Sequence, residues 1–236
     1  MKREFKAIVE RDSAGWYVAS VPGLPGCHTQ ARSADELQER IREAIALYLI
    51  DKGLSGERQT TMDFFKAVDA RYSYRGEFAD EAVPREDLEK ILRAGLAAPS
   101  GCNKQTTTFV CVTDPEIVNK IGELQSMKAC KTAGAFICCC IDREPEAAYK
   151  EFSFQVEDCA AAVENMLLAI SALGYASVWI DGGLRVEGRA EKIGEIINVP
   201  ESKVVRVILP VGRPVAEGPR REKMAFPERA WFDRHG

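Results

Sequence analysis

The chain has 236 residues, 46% of them hydrophobic, which suits one or two domains whose core needs neither disulfides nor metal. A formal net charge of -4 argues against broad electrostatic binding to nucleic acid or to an anionic membrane. No apolar run reaches the roughly 18 residues of a membrane-spanning helix, and the N-terminus leads into a strand-like segment instead of the apolar core of a signal peptide; a soluble, cytoplasmic protein is expected.

Residues 4–10 alternate polar and apolar, as a half-buried strand does. The turn residues Asp12-Ser13-Ala14-Gly15 lead into a second strand, Trp16–Val21, which predicts a hairpin. A Pro-Gly loop over 22–26 precedes a third strand, Cys27–Ala31. Ser33 and Glu36 form a Ser-x-x-Glu capping box that opens a helix. Leu37, Ile41, Ala44, Ile45, Tyr48 and Leu49 share one face of it. Residues 52–61 lack apolar periodicity, hold two glycines and read as a linker. The expected organisation is a small domain over 1–51, that linker, and a larger domain over 62–236.

In the larger unit, Pro84 is expected at the first position of a helix, followed by Leu88, Ile91, Leu92, Gly95 and Leu96 at helical spacing. A strand over Phe109–Val112 and a helix over Pro115–Leu124 follow. Ala135–Ile141 is a buried strand. A long helix over Glu151–Leu173 has Val156, Cys159, Val163, Met166, Leu167 and Ile170 as its main stripe. Ala176–Ile180 is a strand, Glu187–Ile197 a helix and Lys203–Gly212 a strand. The alternation of strands and helices indicates α/β layering. The eight cysteines include no Cys-x-x-Cys, and His28 and His235 lie at opposite ends. Cys138, Cys139 and Cys140 are consecutive in a strand, so their side chains alternate between faces and cannot share one site. They read as small buried hydrophobes.

Four clusters in the larger unit could carry chemistry. Arg71-Tyr72-Ser73-Tyr74-Arg75 offers two guanidinium groups and a hydroxyl, a grip for phosphate, or else a solvated helix end. Ala98–Gln105 is a small, stiff loop of hydroxyl and amide groups that can pack on a planar ring, or else merely end a helix. Trp179–Gly183 ends a strand on two glycines, which let backbone N–H groups approach a ligand or simply make a turn. Pro210–Pro214, with Arg220-Arg221-Glu222-Lys223 beyond it, could close over a phosphate or be a solvated tail.

The order of these clusters resembles the nitroreductase family of FMN-dependent enzymes, over 62–236. The shared pattern is Arg-x-Ser-x-Arg, then Ala-Pro-Ser with Asn-x-Gln, then a long helix bearing Asp158 and Asn165. A strand ending in a Gly turn and a Val-Gly strand before a basic segment complete it. The resemblance implies an α+β fold, a nitroreductase-like sheet flanked by helices. It implies that Arg71, Ser73 and Arg75 hold the FMN phosphate and ribityl chain or the pyrimidine edge, with Arg220 or Arg221 completing the phosphate site. Pro99, Ser100 and Asn103 would reach the isoalloxazine of the neighbouring subunit. Asp181 and Gly182 would sit near N5. Tyr72, Gln105 and Gly212 fall in the same cofactor-binding set. No catalytic side chain is implied, because the flavin N5 carries the hydride. NADH or NADPH would be the donor, and a nitroaromatic, a quinone or a related small molecule the acceptor, in ping-pong order. A homodimer with shared sites is implied. Thr106-Thr107 departs from the Pro-Trp that the family often has there. The short stretch between Ile121 and Ala135 implies an open site. Cys102 lies close to the expected flavin and reads as a filler.

Residues 4–51 resemble a different family, the HicB-like antitoxin fold, through three strands, the loop Val-Pro-Gly-Leu-Pro-Gly-Cys and a capped helix. This implies a β-β-β-α domain that binds a protein partner or dimerises. No helix-turn-helix or basic arm follows it, and His28 reads as a structural or surface histidine. An alternative function arises from the fusion: a flavin or nucleotide sensor whose HicB-like domain delivers the output to a protein.

Overall fold

The computed structural model describes residues 5–13, 15–51 and 62–236. The expected linker, 52–61, lies outside the described residues, as do Glu4, Ala14 and the side chain of Leu49. Two compact units are divided in sequence between Thr60 and Thr61.

In the first unit β1 (Ile8–Arg11), β2 (Tyr17–Ser20) and β3 (His28–Ala31) form an antiparallel sheet in that order, followed by α1 (Ala34–Asp51). The Asp12 carboxylate accepts the Trp16 N–H at 2.8 Å to close the first turn, where Gly15 takes a φ of 86°. Leu37 and Ile41 pack with Ala19, Val21, Leu24, Cys27 and Ala31, and Ala44, Ile45 and Tyr48 flank them. The helix start is a variant of the expected capping box. Ser33 Oγ accepts the Glu36 N–H at 3.2 Å, while the Glu36 carboxylate takes the N–H of Arg32, one residue before the cap. The predicted half-buried alternation survives only at Phe5 and Ala7; all four residues of β1 are exposed. His28 is exposed on β3.

The second unit is built on one antiparallel sheet of β4 (Thr108–Val112), β5 (Ala135–Asp142) and β6 (Lys203–Val211), with β5 central. The fold is therefore α+β, as the resemblance implied, and the α/β class read from the strand–helix alternation gives way to it: each neighbouring pair runs antiparallel. Helices cover both faces, which is why Ala135–Ile141 is buried throughout. Phe136, Cys138 and Cys140 face a cluster shared with α4 (Pro115–Glu123), α5 (Lys128–Lys131) and α7 (Arg189–Ile196). Ile137, Cys139 and Ile141 face a second cluster with α3 (Arg85–Leu96) and α6 (Gln155–Ala172). The three cysteines are thus divided between the two sides.

Three elements differ from expectation. Pro84 is the cap of α3, one residue before its first turn, and its carbonyl accepts the Asp87 and Leu88 N–H groups. The long helix starts at Gln155, where the Gln155 amide exchanges two 3.0 Å hydrogen bonds with the Asp142 backbone. Val156 consequently faces solvent at 43% exposure. The expected strand over Ala176–Ile180 is a set of single bridges, Ala176 to Gly212, Ser177 to Ser73 and Ile180 to Ile208. The Arg-x-Ser-x-Arg segment around Ser73 is therefore fixed against this one. α2 (Phe64–Ala70) precedes that motif, and α8 (Phe226–Arg229) lies near the C-terminus. Among the described residues no helix is long and apolar enough to cross a membrane.

Candidate active site

The backbone leaves α2 at Arg71, whose extended φ/ψ of -66° and 126° turns the next residues toward Ser177. The Tyr74 N–H donates to the Ser177 carbonyl at 2.9 Å. This pins the Arg-x-Ser-x-Arg segment along one wall of a cleft of about 570 Å³. Arg71, Tyr72, Ser73 and Arg75 line that wall; Arg220, Arg221 and Lys223 line the opposite side. Five cations thus meet one carboxylate, Asp69. The basic tail is docked and not free. The Gly218 N–H donates to the Tyr72 hydroxyl at 3.1 Å, Arg220 lies 4.8 Å over the Tyr72 ring, and its guanidinium donates to the Asp69 carbonyl at 2.8 Å. Arg71 Nε is held at 3.0 Å by Glu164 of α6. Such a concave cluster of guanidinium groups suits a phosphate dianion.

The Ala98–Gln105 loop borders a separate cleft of about 450 Å³, lined among others by Pro99, Ser100, Gln105, Thr106 and Thr107. Both of the polar residues noted on the long helix brace this region. The Asp158 carboxylate accepts the Gly101 N–H at 2.8 Å, and the Asn165 amide donates to the Ala94 carbonyl at 3.1 Å. Ser100 Oγ accepts the Gln105 N–H at 3.1 Å. Cys102, Asn103 and Gln105 adopt left-handed φ of 50°, 56° and 50°, with Lys104 between them at -65°. Asn103 is exposed and does not line this cleft. A Cβ on Gly101 would fall 2.4 Å from Cδ2 of Phe154. Gly101→Ala is therefore expected to lose about 1–3 kcal/mol to overpacking, read as a lower urea midpoint, with Phe154→Ala restoring tolerance in the double variant.

The third cluster is a turn in which the Leu184 N–H closes back on the Asp181 carbonyl at 2.9 Å. Its carboxylate is clamped by Arg185 at 2.7 and 2.8 Å and approached by Arg206 at 3.4 Å. Gly182 is exposed, and a Cβ there would meet nothing within 4 Å, so its backbone is open to a ligand. Gly212 lines neither cleft; a Cβ there would sit 2.6 Å from Cγ of Phe78, so packing accounts for the glycine. Two residues that carried no signal in the sequence join these clusters. The Gln125 amide, 4% exposed, leaves Nε2 without a partner, and Oε1 would lie 3.7 Å from a Cβ on Gly183. Ser177 Oγ, beside Ser73, is likewise buried and unpartnered. A polar residue followed by no motif was the only available hint for either.

All eight cysteines are free. Burial pushes the Cys130 thiol up to about 12 and the Cys111 and Cys140 thiols up to about 11. Cys102 is exposed on the loop. Among the described residues no group of histidine, cysteine and carboxylate side chains could hold a metal ion.

The family model of nitroreductases matches residues 68–133 and 123–213, a span holding the first three clusters and reaching Arg213 of the fourth. The chain belongs to the nitroreductase family. It is an oxidoreductase of the NAD(P)H nitroreductase type. A Methanothermobacter thermautotrophicus protein classed as an NADH dehydrogenase/NAD(P)H nitroreductase is 33% identical over 174 residues, 73% of this chain and 88% of its own length. An NADPH-flavin oxidoreductase of Vibrio harveyi is 31% identical over 145 residues, 56% of this chain and 59% of its own. The crystal structure of an FMN-dependent nitroreductase from Clostridium difficile shares the fold, with a TM-score of 0.62 at 24% identity over 72% of this chain and 99% of that one. The HicB-like antitoxin model matches residues 5–83, so this nitroreductase carries a HicB-like unit at its N-terminus.

Proposed function

We propose that this nitroreductase binds FMN and transfers two electrons from NADH or NADPH to a nitroaromatic, a quinone or a related small acceptor. The cleft with five cations and one carboxylate is the observation that carries this reading. Arg71, Arg75, Arg220 and Arg221 would hold the phosphate, Tyr72 keeps the tail docked over it, and Ser73 offers a hydroxyl to the ribityl chain. FMN, when bound there, would supply the hydride-transfer chemistry between nicotinamide and acceptor in a ping-pong reaction. Gly182, open to solvent, and the Asp181 that fixes its turn would present a backbone N–H to the ring. The Vibrio harveyi relative, named for NADPH and flavin, supports the cofactor pair.

The basic cleft and the loop cleft share no lining residue within one chain, although α6 reaches both through Glu164 and Asp158. A two-fold dimer would bring Pro99, Ser100, Asn103 and Gln105 of one subunit to the flavin of the other. Large apolar side chains left exposed on the enzyme unit, Phe64, Phe65, Leu96, Phe226 and Phe232 among them, supply surface for such contact. Eight free cysteines fit a reducing compartment, the cytoplasm. The HicB-like unit would recruit a protein partner, and a chain that binds flavin but turns over with neither nicotinamide would instead be a sensor. The test is colour. The purified protein should be yellow and should bleach on addition of NADH or NADPH without oxygen; colourless protein that FMN cannot reconstitute contradicts the proposal.

A further inference from the structure

β6 contains one residue too many. Cys139 pairs with Val207 and Cys140 with Val205, so Arg206 has no partner on β5. The core confirms the extra residue. Val207, Leu209 and Val211 pack with α6 and α3, yet Val205, two residues before Val207, packs on the opposite face. In a regular strand residues two apart share a face; here a bulge at Arg206 reverses the parity. Bulges bend the strand and re-aim a side chain. The side chain re-aimed here is a guanidinium, only 22% exposed, whose Nη1 lies 3.4 Å from Asp181 Oδ1.

Asp181 opens the turn that carries Gly182 and Gly183, and its other contacts come from Arg185, four residues on within the same turn. Arg185 is half exposed and belongs to the segment it would have to steady. Arg206 belongs to the sheet, one residue from Val207 in the buried core. The Arg206 contact therefore ties the carboxylate of the turn to the sheet, one residue beyond the Ile180–Ile208 backbone pair that holds the residue before it. The buried Cys159 thiol, whose chief influence is its hydrogen bond with Cys139, also feels Arg206, Asp181 and the Asp158 that holds the Gly101 loop. Arg206 thus stands among the charges around that thiol, and its own ion pair is with Asp181.

We infer that Arg206 is a positioning residue: the β6 bulge delivers its guanidinium to Asp181 and so fixes the Gly182–Gly183 turn against the sheet. This rests on the proposed flavin site only for its consequence, since the clamp itself is a feature of the chain. Arg206 touches no cofactor; it acts through Asp181. A lysine keeps the charge but loses the planar fork.

The test uses the full chain and three variants, Arg206→Lys, Arg206→Met and the charge-neutral double Arg206→Met/Asp181→Asn. Amide exchange of Leu184, whose N–H closes the turn onto Asp181, is measured without and with added FMN. Exchange at Leu184 should quicken at least tenfold in Arg206→Met, less in Arg206→Lys, while Ile137 and Leu209 in the sheet stay as in the parent. With FMN bound, Arg206→Met should lower kcat about tenfold and leave the KM for NADH unchanged, with Arg206→Lys partly restoring kcat. Should Arg206→Met fail to fold, Arg206→Gln, which leaves the Arg185 pair on Asp181 intact, takes its place with the same expected exchange. Leu184 exchange at the parent rate in a folded Arg206→Met, Arg206→Gln or double variant overturns the inference. A parent chain that binds no FMN, together with fast exchange in Arg206→Met, leaves the clamp standing and removes the flavin proposal.

Discussion

Arg71→Ala/Arg75→Ala is expected to abolish retention of FMN while leaving the fold intact. Each guanidinium is a charged donor on the wall of the basic cleft, and hydrogen bonds to charged groups contribute roughly 1.5–3 kcal/mol each. Two together come to about 3–6 kcal/mol, which raises the dissociation constant about a hundredfold or more. The cost to stability is small by comparison. Arg71 pairs with a half-exposed Glu164, a contact of about 0–1 kcal/mol, and Arg75 only returns to its own Ser73 carbonyl. The variant should elute colourless, with its thermal midpoint and oligomeric state close to those of the parent. A protein that still carries stoichiometric FMN counts against the phosphate assignment. So would loss of FMN through unfolding, which the melting curve reveals.

The second large effect lies in alkaline solution, where stability should fall steeply above pH 9. Cys111, Cys130, Cys138 and Cys140 have thiols pushed up by burial, and Cys139 by its hydrogen bond with Cys159 as well as by burial. In the unfolded chain these thiols ionise near 9.0, their ordinary value; in the fold they stay protonated. The unfolded state therefore releases protons that the folded state keeps. The stability they contribute is complete below pH 9 and is lost as pH rises toward about 11–12, the folded values of Cys111 and Cys130. Each thiol approaches about 1.4 kcal/mol of loss per pH unit in that window. Urea melts under reductant at pH 8, 9 and 10 measure this directly. Cys138→Val/Cys140→Val should flatten the slope by two protons' worth. A free energy of unfolding that stays level from pH 8 to pH 10 would refute the account of the buried thiols.

How much of this was legible in the sequence depended on whether a residue's role was local. The N-terminal hairpin, the capped helix and the buried β5 were readable because alternation, turn chemistry and capping act over a few neighbours. Chain direction in the sheet was not: strand and helix alternation looks the same whether the strands run parallel or antiparallel, and only the pairing of β4, β5 and β6 decides it. The segment 176–180 has strand composition but makes single bridges, because its partners are split between Ser73 on one side and Ile208 and Gly212, in and just after β6, on the other. The arginine motif and the basic tail were visible as clusters. Their convergence on one cleft depends on Tyr72, which binds the tail through both its hydroxyl and its ring. Asp158 and Asn165 were noted only for their place on a long helix, and their work as braces of the loop and of α3 became plain from their partners. Gln125, Ser177 and Arg206 gave no signal at all. A buried amide, a buried hydroxyl and a bulged arginine acquire meaning only from what surrounds them in three dimensions.

Mixed dimers test most directly the proposal of a flavin site assembled from two chains. One parent is Arg71→Ala/Arg75→Ala, with an intact loop and a disabled phosphate cleft. The other is Ser100→Trp, with an intact phosphate cleft and a bulky ring in the loop cleft. Each parent dimer should lose its FMN. Purified through two different affinity tags, the mixed dimer joins the phosphate cleft of one chain to the loop of the other and should retain one FMN per dimer. A mixed dimer as empty as its parents would contradict the shared site and confine the flavin to residues of a single chain.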